Sequence, residues 1–116
     1  MNNICTSIEQ SNKLIELGID VNTADMYHAP DANVIVAEPY IMKTEDETLI
    51  PAYKGAIPAW SLTALLELMP TFTLNGFGNG QFNCRDERAN SYALVDTCPL
   101  DAAFEMIVWL KENNKI

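Results

Sequence analysis

The stretch that decides the fold is Pro99-Leu-Asp-Ala-Ala-Phe-Glu-Met-Ile-Val-Trp-Leu-Lys111. Apolar residues recur in it at the spacing of one helix face, namely Leu100, Ala103, Phe104, Ile107 and Leu110. Three more apolar residues widen this face: Met106, Val108 and Trp109. The residues left to meet water are Asp101, Glu105 and Glu112. A helix with so wide an apolar face needs a covering layer, and we expect the rest of the chain to supply a sheet.

Two further helices are indicated by their ends. Thr6 and Ser7 each stand three residues before an acid or an amide, so either one can close a capping box. Gly18 supplies the left-handed residue that ends this first helix. Ser61 is a good N-cap for the second helix, and Pro70 ends it. The sequence predicts helices over 7–17 and 61–69.

Short alternating segments predict antiparallel strands. Turn residues between Met26 and the β-branched run Val34–Ala37 predict a hairpin over 26–38. A meander over 71–96 follows the second helix, with Phe72 and Leu74 on one face and Phe82 and Cys84 facing inward. Its first turn is Gly76–Gly80, in which Asn79-Gly80 is the preferred pair for a tight hairpin.

A weaker hairpin is expected between these parts of the chain. Residues 40–43 and 48–53 flank an acidic tip, and Pro51 weakens their pairing because proline cannot donate to a ladder. The summed pattern predicts an α+β fold in a single domain, 1–116. An antiparallel sheet would combine the meander over 71–96 with the hairpin over 26–38, and helices near 7–17, 61–69 and 99–112 would cover one face.

The composition excludes several classes of protein. The 116 residues carry a net charge of −9, which argues against direct binding to nucleic acid. No apolar run approaches the roughly 18 residues of a membrane span. The first residues lack the basic and apolar regions of a signal peptide. Three cysteines at irregular spacing form a poor disulfide framework. We therefore expect a cytoplasmic protein.

The negative charge is unevenly placed. Between Glu16 and Glu47 there are eight acids and one lysine, a balance of −7. Glu45, Asp46 and Glu47 stand together at the tip of the weaker hairpin. One interpretation is a solvated surface that keeps a small domain dispersed. The other is a surface that meets a basic protein, and we take these three acids as the candidate partner-binding residues.

Other candidate sites have plainer explanations. The glycines of Gly76–Gly80 precede a strand, whereas a phosphate loop opens into a helix. Cys98 begins the closing helix and could pair with His28 as nucleophile and base, but no third group that orients them is evident. The histidine and cysteines lack zinc spacing, and the acidic tip lacks the pattern of a calcium loop. We therefore expect no catalytic, metal-binding or cofactor-binding residues.

Two groups of side chains at the ends of predicted elements have alternative interpretations. Arg85–Arg88 contains both charge signs, which is typical of an exposed, self-compensating loop. Trp60 and Tyr53 stand beside prolines and would form either an exposed patch or part of the helix packing, and packing is the favoured interpretation.

Three stretches carry a family resemblance: Cys5–Tyr27, Pro58–Pro70 and Pro99–Ile116, together 54 of the 116 residues. On these stretches the chain resembles a family of short uncharacterised proteins found in Bacteroides-type gut bacteria, their phages and mobile elements. The resemblance implies a bacterial cytoplasmic setting and a mobile-element origin. It implies no mechanism, because the family's shared stretches contain no catalytic motif.

These observations favour a small acidic, non-enzymatic protein-binding module whose partner is a basic protein. One version of this hypothesis is an acidic decoy that occupies a nucleic-acid-binding surface. The alternatives are a small enzyme that uses Cys98 and a protein that oligomerises through its apolar helices.

Overall fold

A computed structural model of the chain describes residues 4–51, 54–69, 71–89 and 92–116. These residues form an α+β fold, as predicted, in which all strand pairs are antiparallel. Predictions that concern Tyr53, Pro70 and Asn90 fall outside the described residues. The elements in chain order are α1 (Ile8–Glu16), β1 (Met26–Ala29), β2 (Val34–Val36), β3 (Ile41–Lys43), β4 (Leu49–Pro51), β5 (Ile57–Ala59), α2 (Leu62–Glu67), β6 (Phe72–Gly76), β7 (Phe82–Asp86), β8 (Tyr92–Val95) and α3 (Pro99–Glu112).

The ends of α1 follow from its sequence. Ser7, and not Thr6, closes the capping box: Gln10 N donates to Ser7 Oγ at 3.1 Å, and Ser7 N donates to Gln10 Oε1 at 2.9 Å. Gly18 adopts a left-handed φ of +90° after the last turn. Ile19 N then donates to Leu14 O at 3.0 Å, which satisfies a carbonyl at the helix end.

The strands are divided over three sheets where the sequence suggested one. Their orders are β2-β1-β5, β3-β4 and β6-β7-β8. The meander forms its own sheet, and the 26–38 hairpin instead gains β5, a strand that the sequence analysis missed, on the second edge of β1. Pro58 lies in β5 opposite Tyr27. A proline in a short run argues against a strand, but it is tolerated here because β5 is an edge strand.

The meander and α3 form the main layers of the structure. Leu74, Cys84 and Ala93 lie side by side in the register of β6, β7 and β8. Cys84 is fully buried and Phe82 packs against the core, as predicted, whereas Phe72, on the same face as Leu74, is 41% exposed. α3 packs on this sheet, α2 packs on α3, and α1 packs mainly on β5. The largest fully buried apolar side chains of this core are Trp60, Leu14, Leu65, Met69, Met106, Ile107 and Leu110.

The turn between β6 and β7 is longer than the predicted tight pair. Phe77 N donates to Gln81 O at 3.0 Å, which closes a five-residue connection over 77–81. Gly78 and Gly80 have positive φ angles of 75° and 86°, whereas Asn79 is not among the described residues with positive φ. A two-residue type I′ turn at Asn79-Gly80 would require a positive φ at both residues. Gly78 and Gly80 therefore belong to a wider loop.

Thr6 connects three separate parts of the chain and is fully buried. Its N–H donates to Trp60 O at 2.9 Å, and its Oγ1 accepts from Trp60 N at 3.1 Å. The same Oγ1 lies 2.7 Å from Ser11 Oγ on α1. Its carbonyl oxygen lies 2.8 Å from His28 Nε2, and because a carbonyl only accepts, this ring nitrogen carries the proton.

A second set of hydrogen bonds fixes the start of α2. The carboxylate of Asp25 accepts from both Ser61 N, at 2.9 Å, and Ser61 Oγ. Ser61 Oγ in turn accepts from Ala64 N as the helix cap, at 3.2 Å. Trp60 is fully buried, which confirms the packing interpretation, and its indole Nε1 donates to Thr23 Oγ1 at 2.9 Å.

Replacing Thr6 by valine keeps the shape of the side chain but removes its hydroxyl. The N–H of Trp60 and the hydroxyl of Ser11 would then be buried without this partner, and we expect the free energy of unfolding to fall by about 2–3 kcal/mol. Thr6→Ser, which keeps the hydroxyl, should lose less. Urea denaturation measures both. Thr73→Val, on the exposed face of β6, is the control and should be near neutral; an equal loss at both positions would contradict this role of Thr6.

Candidate functional site

The most exposed element of the described structure is the hairpin β3–β4, here called the arm (residues 41–51). Its strands pair in the register Ile41↔Pro51 and Lys43↔Leu49, which confirms the predicted weaker hairpin over the described residues. Only Ile41 in the two strands is partly buried, and all the others are exposed. Tyr40, just before β3, packs against the main core and anchors the arm.

The dimensions of the molecule agree with a projecting element. The described residues extend over 45 × 30 × 19 Å, with a radius of gyration of 14.7 Å. A compact chain of this length is expected to have a radius of gyration of about 13 Å. The excess fits a structure from which one element stands out from the packed layers.

The arm's turn places the three candidate acids at its outer end. Thr44 N donates to Thr48 O at 2.9 Å and Glu47 N donates to Thr44 O at 3.0 Å, which fixes the turn. Asp46 accepts from the hydroxyl of Thr44 and from Thr48 N, and these hydrogen bonds, Thr44 first, lower the pKa of its carboxyl. Asp46 thus shapes the tip and stays ionised.

Glu47 occupies a backbone position that usually suits glycine or asparagine. Its φ is +67°, in the left-handed region that costs energy for a residue with a longer side chain. Its carboxylate lies 3.5 Å from Lys43 Nζ, a pair that is largely exposed and therefore contributes little to stability. The tip keeps an acidic side chain where a glycine would relieve strain.

Apolar side chains accompany the acids along the arm. Met42, Leu49 and Ile50 are 44%, 59% and 39% exposed. Residues of this size are usually buried when they occur together in a strand. The arm therefore combines apolar strands with an acidic tip, a combination that suits contact with another protein rather than contact with water alone.

The structure does not assemble the alternative site of Cys98 and His28. Cys98 is the N-cap residue of α3, is only 4% exposed and packs in the main core. His28 lies in β1, and its Nε2 is bonded to the carbonyl of Thr6. Within the described residues there is no group of three or more histidine, cysteine or acidic side chains that could hold a metal ion.

The charged segment after β7 differs from its predicted exposed loop. Asp86 ends β7 and is fully buried, and its carboxylate binds the guanidinium of Arg88 at 2.8 and 3.0 Å. These hydrogen bonds lower the pKa of Asp86 and raise the pKa of Arg88. Burial, and secondly the charge of Asp86, raise the pKa of the nearby Cys84 thiol to about 11. The predicted charge compensation is present, and Arg85 and Glu87 are exposed as predicted, but Asp86 is buried and Arg88 is partly buried.

Comparisons with protein-family models, with curated proteins and with solved structures find no match for this chain. Its chemistry is therefore argued from its own residues. In the part of the chain that the structure describes, no helix is long and apolar enough to cross a membrane.

The arm was predicted from turn residues, but the exposure of Leu49 and Ile50 had no signal in the sequence.

We expect the cysteines to be unreactive in the folded protein. Cys5, Cys84 and Cys98, all within the described residues, are reduced and buried. Alkylation near neutral pH, followed by mass spectrometry, should therefore be much slower for each of them than for glutathione, and denaturant should expose all three. If Cys98 in the folded protein is alkylated faster than glutathione, the result would instead support a cysteine-dependent enzyme.

Asp86→Asn should lower the free energy of unfolding at pH 7 by about 2–3 kcal/mol, because Arg88 loses its buried carboxylate partner. Asp86 has a lowered pKa in the folded state, so its contribution is present above the ordinary value of 3.8 and is lost as the pH falls below it. The difference between wild type and variant should therefore narrow from about pH 4 downwards.

Urea denaturation across this pH range measures the effect of Asp86→Asn. Asp96→Asn, at an exposed aspartate in the bend that follows β8, is the control and should show a small difference at every pH. A difference for Asp86→Asn that stays constant down to pH 2 would contradict the lowered pKa.

Proposed function

We propose that this protein is a small, non-enzymatic protein-binding module that uses its arm to bind a basic surface of another protein. The observation that carries the proposal is the coincidence, on one projecting hairpin, of exposed apolar strands and an acidic tip. A two-stranded hairpin on its own is marginally stable in water. Apolar residues kept on such an element support a role in contact with a partner.

The partner's chemistry follows from the charge of the arm. Glu45, Asp46 and Glu47 outweigh the single Lys43, and the chain as a whole carries −9. Such a surface attracts a basic protein, speeds encounter and disfavours acidic partners. Salt screens exposed charges over about 8 Å at physiological ionic strength. Affinity for the partner should therefore fall with added salt, while contacts of Met42 and Leu49 would persist.

The family resemblance adds a biological setting to this proposal. A mobile element or phage that produces a small acidic protein could use it to occupy the nucleic-acid-binding surface of a host or phage protein, in a bacterial cytoplasm. The direct binding of nucleic acid is not proposed, because the chain's seven basic residues are outnumbered by sixteen acids.

The alternatives have less support. An enzyme that uses Cys98 needs an accessible thiol, and this thiol is buried. Oligomerisation through the helices needs unburied apolar faces. The residues of α3 that face the core, Leu100, Ala103, Ile107 and Leu110 among them, are buried within the chain.

Charge reversal of the tip tests the proposal. We expect Glu45→Lys/Asp46→Lys/Glu47→Lys to weaken binding of the partner about tenfold or more, because it replaces attraction by repulsion at the contact. The measurement is an affinity pull-down from a lysate of a Bacteroides-type bacterium at low and high salt, followed by titration of the protein that is retained.

The matched control reverses three exposed acids outside the arm, Glu16, Glu67 and Glu87. The proposal is supported if one basic protein is retained by the wild type and by the control, is lost at high salt and is lost with the tip variant. It fails if the tip variant retains that protein as well as the control does, or if the wild type retains no basic protein at low salt.

A further inference from the structure

The outer edge of the meander is open to the addition of another strand. β8 pairs with β7 on one side, and no strand in the described ranges pairs with its other side. The four residues Tyr92–Val95 contain neither a proline nor a charge. Edge strands are commonly protected by one of these or by a covering element, because their unpaired N–H and C=O groups attract other strands. β8 therefore has neither a proline nor a charged residue to protect its edge.

A groove with apolar and acidic lining residues runs between this edge and α3. It has a volume of about 370 Å³ and is lined by Ala93 and Val95 from the strand and by Met106, Val108 and Trp109 from the helix. Ala93, Val95, Val108 and Trp109 are only partly buried although they pack against the main core. The space has the size of a small ligand pocket, but all four residues of β8 line it, which suits an extended chain.

Trp109 has an unused hydrogen-bond donor. The indole Nε1 of Trp60 donates to Thr23 Oγ1, whereas Nε1 of Trp109 donates to no acceptor in the part of the chain that is described. Half-buried tryptophans with a polar group at the surface are enriched where proteins bind one another. Trp109 therefore offers both apolar area and a donor to a bound segment.

Two acids flank the groove. Glu105 and Glu112 both line it and are exposed, and their spacing of seven residues places them on one side of α3, about 10 Å apart along its axis. The ion pairs of the described residues are Lys43–Glu47 and Arg88–Asp86, so neither groove acid is neutralised by one. In a bound strand, side chains on one face lie about 7 or 14 Å apart. Long basic side chains at these spacings can reach both acids.

We propose that the groove binds an extended segment of another protein, which pairs with β8 as a fourth strand. Its apolar side chains on one face enter the groove over Met106 and Trp109, and lysine or arginine residues on the same face meet Glu105 and Glu112. Main-chain hydrogen bonds hold such a segment, and the alternate side chains select its sequence. This surface does not depend on the arm.

A second copy of this chain is a poorer occupant. Pairing of two β8 edges would bring the groove acids of both copies together, and each copy carries a net charge of −9. Like charges at a contact are strongly unfavourable. A basic segment relieves this repulsion, which decides the chemistry of the partner.

The test starts from a displayed library of randomised nonapeptides. The library is selected on immobilised wild-type protein and depleted on the Glu105→Lys/Glu112→Lys variant. The expected result is a consensus in which apolar residues alternate with solvent-facing ones and basic residues flank the apolar centre. Failure to enrich any peptide that discriminates the two proteins, or a consensus without basic residues, would overturn the proposal.

The strongest selected peptide is then synthesised with a fluorescent label and titrated by anisotropy. Its affinity should fall about tenfold or more for Glu105→Lys/Glu112→Lys and less for Glu105→Gln/Glu112→Gln. Glu9→Lys/Glu16→Lys is the matched control, because these two acids have the same spacing on α1 and are exposed. Its affinity should stay within about twofold of wild type. Equal losses in both lysine variants would overturn the specific role of the groove.

Peptide backbone methylation distinguishes strand addition from other modes of binding. Two peptides are compared, one methylated on the odd-numbered and one on the even-numbered backbone nitrogens. One of them should lose binding and the other should keep it, because only one set of nitrogens faces β8. Equal binding of both methylated peptides would overturn strand pairing.

Sedimentation equilibrium tests the remaining outcome. A dimer of the protein that Trp109→Gln dissociates would assign the groove to a second copy and overturn the proposal. Peptide binding should be unchanged in the tip variant of the arm, so the two proposals fail separately.

Discussion

The hydrogen bonds that converge on Thr6 are the constraint on which the rest of the structure depends. Cys5, the neighbour of Thr6, belongs to the small cluster with Met26 and Ala59. Trp60, the hydrogen-bond partner of Thr6, belongs to the main core. The hydroxyl of one buried threonine therefore holds together the segment before α1, α1 itself and Trp60, which follows β5. Because buried polar groups are costly when unpaired, this arrangement tolerates few alternatives.

The two surfaces that we propose as binding sites differ in shape but share a negative charge. The arm projects and offers apolar strands with an acidic tip, whereas the edge of β8 is concave and bordered by Glu105 and Glu112. Both favour basic partners, and the net charge of −9 disfavours contact between copies. Under both proposals, a basic partner supplies the charge that is opposite to that of these two surfaces.

The elements could be predicted from the sequence because their signals are local. Ser7, Gly18 and Ser61 mark helix ends, and the alternation in the meander gives its inward face. The third strand of the first sheet could not be predicted, since Pro58 in β5 argues locally against a strand. The burial of Asp86 could not be predicted, because it depends on how distant layers of the structure pack.

The candidate surfaces show the same limit. The acidic tip was predicted, since turn residues and charges are adjacent in the sequence. The exposure of Leu49 and the groove beside Trp109 depend on which elements remain uncovered after the chain has packed, and periodicity does not carry that information. Whether a strand edge is open is a property of the whole topology.

The weak attachment of the arm separates its stability from that of the main core. The exposed strands of the arm bury little apolar surface, so the arm can open and close without the main core unfolding. Substitutions at Glu45, Leu49 or Ile50 therefore cost little global stability. The sequence of the arm can therefore vary without loss of the packed layers beneath it.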